Sequence, residues 1–276
     1  MSRRHLLRRR MKTLGEIAGI LESMRTLAVI ESRRLTRSVE CQRHLEAALR
    51  SSAEELLGHY PALLPVQPAA TAWLVVGSER GFCGDFNTRL RAILEQRRSP
   101  GEPVIVVGSR IGAEFAALDV AVHRQLPGPL TADETAERLP ALIDAINQLI
   151  ESRGPLRITA LHHADDAETV LETRIVPPFG KPSARSKRPY PPLLYQAPDD
   201  VFRHLVEHYL FAVLHWLLDR SLLSEHQYRI RHLDGATRRI EDTLETLRSS
   251  NNRLRQEEIT EELQVILLGA EALDSA

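Results

Sequence analysis

The stretch NRLRQEEITEELQVILLGAEAL, Asn252–Leu273, closes the longest helical signal in the chain. Back from it, apolar or small residues return in alternating steps of three and four at Ile230, Leu233, Thr237, Ile240, Leu244, Leu247, Asn251, Leu254 and Glu258. Such a row is the seam of a helix that packs lengthwise on another helix. Thr237, Asn251 and Glu258 place polar groups where a tight coiled coil carries Leu or Ile, which lowers stability and can fix register. Neither Gly nor Pro interrupts Ala236–Leu268, so no breaker divides the element. At about 1.5 Å per residue, one helix over Val201–Asp274 spans roughly 100 Å.

The opposite end of the chain repeats this logic. Leu14, Ile17, Leu21, Met24, Ala28, Glu31, Leu35, Ser38, Gln42, Leu45, Leu49, Ser52 and Leu56 fall on a second three-four row. The row predicts a helix from Arg4 to Leu57, near 80 Å long, stopped by Gly58 and Pro61. Two such seams at opposite ends meet antiparallel if the middle folds as a compact insert. Glu31, Ser38 and Gln42 imply a loosely specified pairing over part of the length.

Between the seams the pattern changes. A spacer, Pro61–Ala70, precedes the apolar run TAWLVVG at Thr71–Gly77, which reads as a buried strand. Further strands are expected at Pro103–Gly108, Val120–His123, Leu156–His162 and Thr169–Val176. Helices are expected after the first strand, at Ile111–Ala117 and at Thr131–Ser152. The alternation predicts a small Rossmann-like α/β domain with a five-stranded, mainly parallel sheet. The domain divisions expected are 1–58, 68–198 and 199–276. Pro177–Pro198, with Lys181, Arg185, Lys187 and Arg188, reads as an extended Pro-rich connection. Asp199 and Asp200 suit the N-terminus of the last helix, and Leu205, Tyr209, Ala212, Leu214, Trp216 and Leu217 bury its first turns against the α/β domain.

Composition excludes several classes. The 36 basic and 37 acidic residues nearly cancel, so no global field selects nucleic acid. Two cysteines, Cys41 and Cys83, make no disulfide framework. No apolar run is long enough to span a bilayer. The basic start MSRRHLLRRRMK lacks the apolar core of a secretory signal. An Arg-rich transit peptide is the alternative, against which the helical row begins almost at once. Arg3, Arg4, Arg8, Arg9, Arg10, Arg33, Arg34 and Arg37 form either a solvated helix face or a cationic sleeve toward an acidic partner.

Two motifs suggest chemistry and lack its requirements. Gly77, Gly81 and Gly84 follow a strand and precede a helix, but their spacing is not Gly-x-Gly-x-x-Gly and no Gly-Lys-Ser/Thr follows. Cys83 has no His partner motif and reads as a small core residue. His162, His163, Asp165 and Asp166 carry metal-ligand chemistry, yet sequential neighbours cannot all converge on one ion. No metal, cofactor or catalytic residue is expected.

The C-terminal stretch resembles the gamma subunit of F-type ATP synthases. Asn252, Arg255, Gln256, Ile259, Thr260, Glu262, Leu263, Ile266, Gly269 and Ala270 follow that family's pattern. So do Ser224, Glu225, Arg229, Ile230, Leu233, Ala236 and Thr237 upstream, Met24, Arg25, Leu27 and Ala28 near the start, and Ser78, Arg80, Gly81, Cys83, Gly84 and Asn87 at the glycine turn. Val29, Ile30 and Glu31 depart from it, which leaves open a divergent gamma from an alternative ATP synthase set.

The resemblance implies a central rotor shaft: two long terminal helices in an antiparallel coiled coil flanking the α/β domain, itself non-catalytic. It implies alpha- and beta-type subunits, an epsilon-type subunit and a membrane c-type ring as partners, without nucleic acid or directly bound nucleotide. It implies a peripheral membrane protein on the cytoplasmic face of the bacterial inner membrane. The partner contacts carried over are Met24, Arg25, Arg255, Gln256, Thr260 and Glu262. The readings in other classes are a generic antiparallel coiled-coil adaptor and a nucleotide-binding α/β enzyme.

Overall fold

The computed structural model describes residues 3–64, 68–117, 122–164, 169–180 and 190–274. Helix α1 runs Arg3–His59, and a short 3-10 turn follows at Pro61–Leu63. Then come β1 (Thr71–Val76), α2 (Phe86–Arg97), β2 (Val104–Val107), α3 (Ser109–Ala117), β3 (Arg124–Leu126), α4 (Ala132–Arg153), β4 (Arg157–His163), β5 (Val170–Val176) and α5 (Pro198–Asp274). The chain forms two compact units, Met1–Leu27 with Ile230–Ala276, and Ala28–Arg229.

In the larger unit the sheet has the order β3-β2-β1-β4-β5. The first four strands are parallel, and β5 pairs antiparallel with β4 at one edge. The expected five-stranded, mainly parallel sheet is thus present. Its third strand lies later than expected, at Arg124–Leu126. Val120 and Ala121 of the expected Val120–His123 strand lie outside the described residues, and His123 is in a bend.

Alternation along the strands separates two cores. Ala72, Leu74 and Val76 of β1, Ile105 and Val107 of β2, and Ile158 and Ala160 of β4 point to one face. There they meet Ala53 and Leu57 of α1, Leu139, Leu142, Ile146 and Leu149 of α4, and Tyr209, Val213, Leu214 and Leu217 of α5. Trp73, Val75, Val104, Val106 and Leu161 point to the other face, where Phe86, Leu90 and Leu94 of α2 and Ile111 and Phe115 of α3 cover them. From Ala212 to Arg229, α5 has no fully exposed residue. A helix covered all round is a core element, not a surface one.

Pro198 opens α5 with Asp199 and Asp200 in its first turn. The Pro has no amide to leave unpaired at that position, so the two acids act on the helix dipole and not as caps. At the other connection α1 continues through Gly58 to His59, and Pro61 is the residue that ends it.

The seam of α1 differs from its expected form in one respect. The seven-residue row Leu14, Leu21, Ala28, Leu35, Gln42, Leu49 and Leu56 is covered throughout. Its companion row lies four residues on, at Ala18, Arg25, Ser32, Val39, Glu46 and Ala53, while Ile17, Leu45 and Ser52 are exposed. Residues three and four apart flank the same stripe, so the apolar period alone does not separate them. Glu31 and Ser38 of the expected row are nevertheless covered. The polar positions are also better specified than expected. Ser38 pairs with Asp219 and Gln42 with His215, at 3.1 Å in the second case.

The smaller unit is a two-helix antiparallel pair, fixed in direction by Arg25 with Asp234 and by Arg4 with Glu258 at 2.8 Å. Here every expected seam residue of α5 from Ile230 to Glu258 is buried or half-buried. Thr237 Oγ1 and Asn251 Oδ1 are buried without a hydrogen-bond partner among the described residues. Such groups weaken a seam.

Gly77 marks the closest approach in the larger unit. A Cβ there would stand 2.5 Å from Ile111 Cγ2, and Ile111 is fully buried. Gly15 lies on an exposed turn of α1 with no atom within 4 Å of a Cβ position. Thermal or urea unfolding should therefore separate two identical chemical changes: Gly77→Ala destabilises by about 1–3 kcal/mol, while Gly15→Ala is neutral or stabilises by up to about 1 kcal/mol.

Candidate partner-contact surface

The residues expected to meet partners fall at two places in the two-helix unit. Arg255, Gln256, Thr260 and Glu262 all stand exposed on α5. Arg255 makes no hydrogen bond or ion pair with any described residue, and Thr260 Oγ1 donates only to the carbonyl of Gln256, at 2.8 Å. Helix spacing explains the exposure, because Asn251, Leu254 and Glu258 occupy the seam and leave Arg255, Gln256 and Thr260 on the far face. Met24 and Arg25 are half-buried on α1. Arg25 is engaged within the unit, with Asp234 and at 3.4 Å with Glu22, so its guanidinium is less available than those of Arg255 or of the exposed Arg8, Arg9 and Arg10.

Beyond the Arg4–Glu258 pair every side chain of α5 described up to Ile266 is exposed. The apolar ones are large: Ile259 is 46% exposed, Leu263 55%, Val265 70% and Ile266 66%. Interleaved with Glu257, Glu261 and Glu262, they make an apolar and acidic stretch of helix left exposed by the described residues of its own unit. Contiguous apolar exposure on this scale marks an interaction surface.

The glycine turn belongs to the other unit, and its geometry explains why it is not a phosphate cradle. In the sheet order 3-2-1-4-5 the succession of parallel strands turns back between β1 and β4, the position at which dinucleotide folds bind their ligand. Here α5 occupies that crevice. Ser221 Oγ donates to Val76 O at 3.1 Å and Ser224 Oγ to Ala164 O at 2.7 Å, closing the C-terminal ends of β1 and β4. The Glu225 carboxylate accepts the amides of Glu79 and Arg80 at 3.1 and 3.2 Å. The Glu79 carboxylate in turn accepts the amides of Ser109 and Gly128, both at 2.8 Å. Ser78 donates to Asn87 Oδ1 at 3.0 Å. Carboxylates and an amide side chain of the chain itself thus take the amides that a phosphate would need.

Arg229 completes the plug. It pairs with Glu225 and donates to His226 Nδ1 at 2.9 Å, to Gly81 O at 3.3 Å and to Cys83 Sγ at 3.4 Å. Burial, with Arg229 beside it, pushes His226 down to about 3, which agrees with a neutral ring accepting from the guanidinium. Burial and the Glu225 charge push the Cys83 thiol up to about 12, so it is no nucleophile. Within this tie Phe82 adopts φ 63° and stands 52% exposed. That backbone region is rare for a non-glycine residue and is held here by the bonds on either side.

The histidine pair is part of the core. His162 Nε2 lies 2.9 Å from Thr173 Oγ1, and burial drives its pKa to about 3. His163 stacks on Phe86 at 4.0 Å with Nε2 2.9 Å from the Phe86 carbonyl. Asp165 and Asp166 lie outside the described residues, as do Lys181, Arg185, Lys187 and Arg188 of the Pro-rich connection. Among the described residues no group of three His, Cys, Asp or Glu side chains has metal-ligand geometry.

Against known proteins, the family model described as ATP synthase matches residues 4–273. The chain belongs to the ATP synthase gamma-chain family. Among its relatives is the ATP synthase gamma chain of Pelotomaculum thermopropionicum, 26% identical over 293 residues that cover 97% of this chain and 98% of the relative. That of Synechococcus sp. is 27% identical over 308 residues, covering 97% and 98%. In fold the chain is similar to a chain of the OSCP/F1/c-ring structure of Euglena gracilis mitochondrial ATP synthase, rotational state 3. The TM-score is 0.67 at 16% identity, covering 98% of this chain and 94% of that one. A rotor chain of the same enzyme in rotational state 1 gives a TM-score of 0.64 at 16% identity, covering 93% and 98%.

Sequence reasoning named Arg255, Gln256, Thr260 and Glu262, which stand exposed on α5, and missed the anchoring roles of Glu79, Ser221 and Ser224. For Ser221 and Ser224 the signal was a pair of hydroxyls three residues apart on an otherwise apolar stretch of helix. Two measurements check the anchored turn. A thiol reagent at about pH 8 should modify one cysteine per folded chain, the exposed Cys41, and two in denaturant. Arg229→Ala, which leaves Glu225 buried without its cation, should lower unfolding stability by about 3–5 kcal/mol.

Proposed function

We propose that the chain is the central rotor shaft of an F-type ATP synthase, coupling ion flow through a membrane ring to ATP synthesis or hydrolysis in other subunits. Membership of the gamma-chain family over residues 4–273 carries the reading. In this reading the shaft is non-catalytic, and the filling of the α/β crevice by Ser221, Ser224, Glu225 and Arg229 supports it. Its partners are alpha- and beta-type subunits around the two-helix unit, with an epsilon-type subunit and a c-type ring at the α/β unit. No helix among the described residues is long and apolar enough to cross a membrane. A peripheral position on the cytoplasmic face of a bacterial inner membrane follows from the assembly and not from an anchor in the described chain.

Arg255 and Gln256 are the residues proposed to report shaft angle to a catalytic subunit. Both are exposed, and an unengaged guanidinium is suited to a charge-assisted bond with a carboxylate or carbonyl on a partner loop. Thr260 and Glu262 extend the same contact. Met24 and Arg25 contribute from α1, Arg25 through its bond to Asp234.

Tagged and expressed with its neighbouring genes, the chain should elute in a large hetero-oligomer with ATPase activity and two nucleotide-binding subunits in threefold excess. Recovery as a lone dimer without them would overturn the shaft reading. In that complex, Arg255→Ala with Gln256→Ala should lower ATP turnover about tenfold or more, since each lost charge-assisted bond is worth about 1.5–3 kcal/mol. Assembly should be intact; unchanged turnover would remove these residues from the coupling contact.

A further inference from the structure

Two histidines stand one helical turn apart near the start of α5. His204 and His208 lie past its first-turn acids Asp199 and Asp200. Of the chain's 11 histidines they are the only two spaced four residues apart. Both are exposed, and neither makes a hydrogen bond, ion pair or ring contact with another described residue. The opposite face holds this stretch in place. Phe202, Val206, Tyr209 and Leu210 pack on the core of the larger unit, and the Tyr209 hydroxyl donates to Glu46 of α1 at 3.0 Å. The backbone that carries the two rings is therefore fixed.

Helix spacing sets what such a pair can do. Side chains four apart share one face, with Cβ atoms about 5–6 Å from each other. An imidazole nitrogen binds zinc at about 2.0–2.1 Å, so two on one ion stand roughly 3 Å apart. Two rings on one helix face reach that separation, as in the zinc-binding His-x-x-x-His arrangement. Imidazole suits copper, nickel and zinc, whereas magnesium and calcium take oxygen ligands. We propose that His204 and His208 form a two-nitrogen chelate for a divalent transition ion, with water in the remaining positions.

The surroundings favour this pair over the other donors of the chain. Asp200 is engaged by Arg203, while Glu207, between the two rings in sequence, adds an exposed carboxylate beside a bound cation. His44 is drawn to Glu40 at 3.1 Å, His215 to Gln42 at 3.1 Å and His226 to Arg229 at 2.9 Å. His162 and His163 are fully buried. No third ligand converges among the described residues, so the ion keeps open positions and exchanges freely. The chelate concerns one helix of the larger unit and does not rest on the rotor reading.

The test is equilibrium dialysis of the full-length, untagged chain, first stripped of metal with a chelator, against copper(II), nickel(II), zinc(II) and magnesium(II) salts. The wild type should bind one transition ion per chain, copper most tightly, and no magnesium. His204→Asn and His208→Asn should each weaken binding at least as much as losing an outer-shell partner does, about 10–100-fold. Both positions are exposed, so the metal-free Tm should stay that of the wild type. His44→Asn and Cys41→Ser should leave the affinity unchanged. In the copper(II) EPR spectrum two imidazole nitrogens should be coupled to the ion in the wild type and at most one in either variant. Binding that survives both α5 substitutions, or that is lost with His44 or Cys41 instead, overturns the proposal, as does the absence of binding up to about 1 mM copper(II).

Discussion

The larger unit depends on one buried carboxylate. Glu225 accepts two amides of the turn after β1 while paired with Arg229, and Arg229 holds the carbonyl and thiol farther along that turn. The strand order of the sheet creates a crevice between β1 and β4 that must be filled by something polar, because both strands end there in unpaired backbone groups. In dinucleotide enzymes the filler is a ligand. In this chain it is a helix from the same polypeptide, presenting Ser221, Ser224, Glu225 and Arg229 in sequence. That substitution keeps a dinucleotide-like topology and removes its chemistry.

Fold class was legible because two periods differ so plainly. A three-four row at each end and short apolar runs in the middle leave few alternatives to long helices around a parallel sheet. What periodicity does not carry is phase within a stripe. Ile17, Leu45 and Ser52 are neighbours on the helix surface of Ala18, Glu46 and Ala53, and only the partner's side chains decide which of each pair is covered. The displaced third strand has a similar cause: β3 is three residues long with two exposed, too short for alternation to register.

The placement of single side chains was legible in proportion to how little they touch. Arg255, Gln256, Thr260 and Glu262 stand free on a regular helix, so spacing from the seam is enough to place them. Arg25, named as a partner contact through the resemblance, is half-buried, and its tie to Asp234 depends on helix register. Asp219 was invisible, since a single acid in an amphipathic reading is assigned to the wet face, and α5 has no wet face between Ala212 and Arg229. Glu225 and Arg229 entered only as residues of the family pattern, and their i,i+4 spacing does not show that the pair is buried.

The bare end of α5 has a cost in the cell. Ile259, Leu263, Val265 and Ile266 sit on a stretch of helix that the described residues of its own unit leave exposed, and such a face adheres to any apolar surface it meets. A chain made in excess of its sleeve would therefore cluster with other copies or with chaperones. Matched synthesis, and threading soon after release, become requirements of this sequence as much as of the assembly it serves.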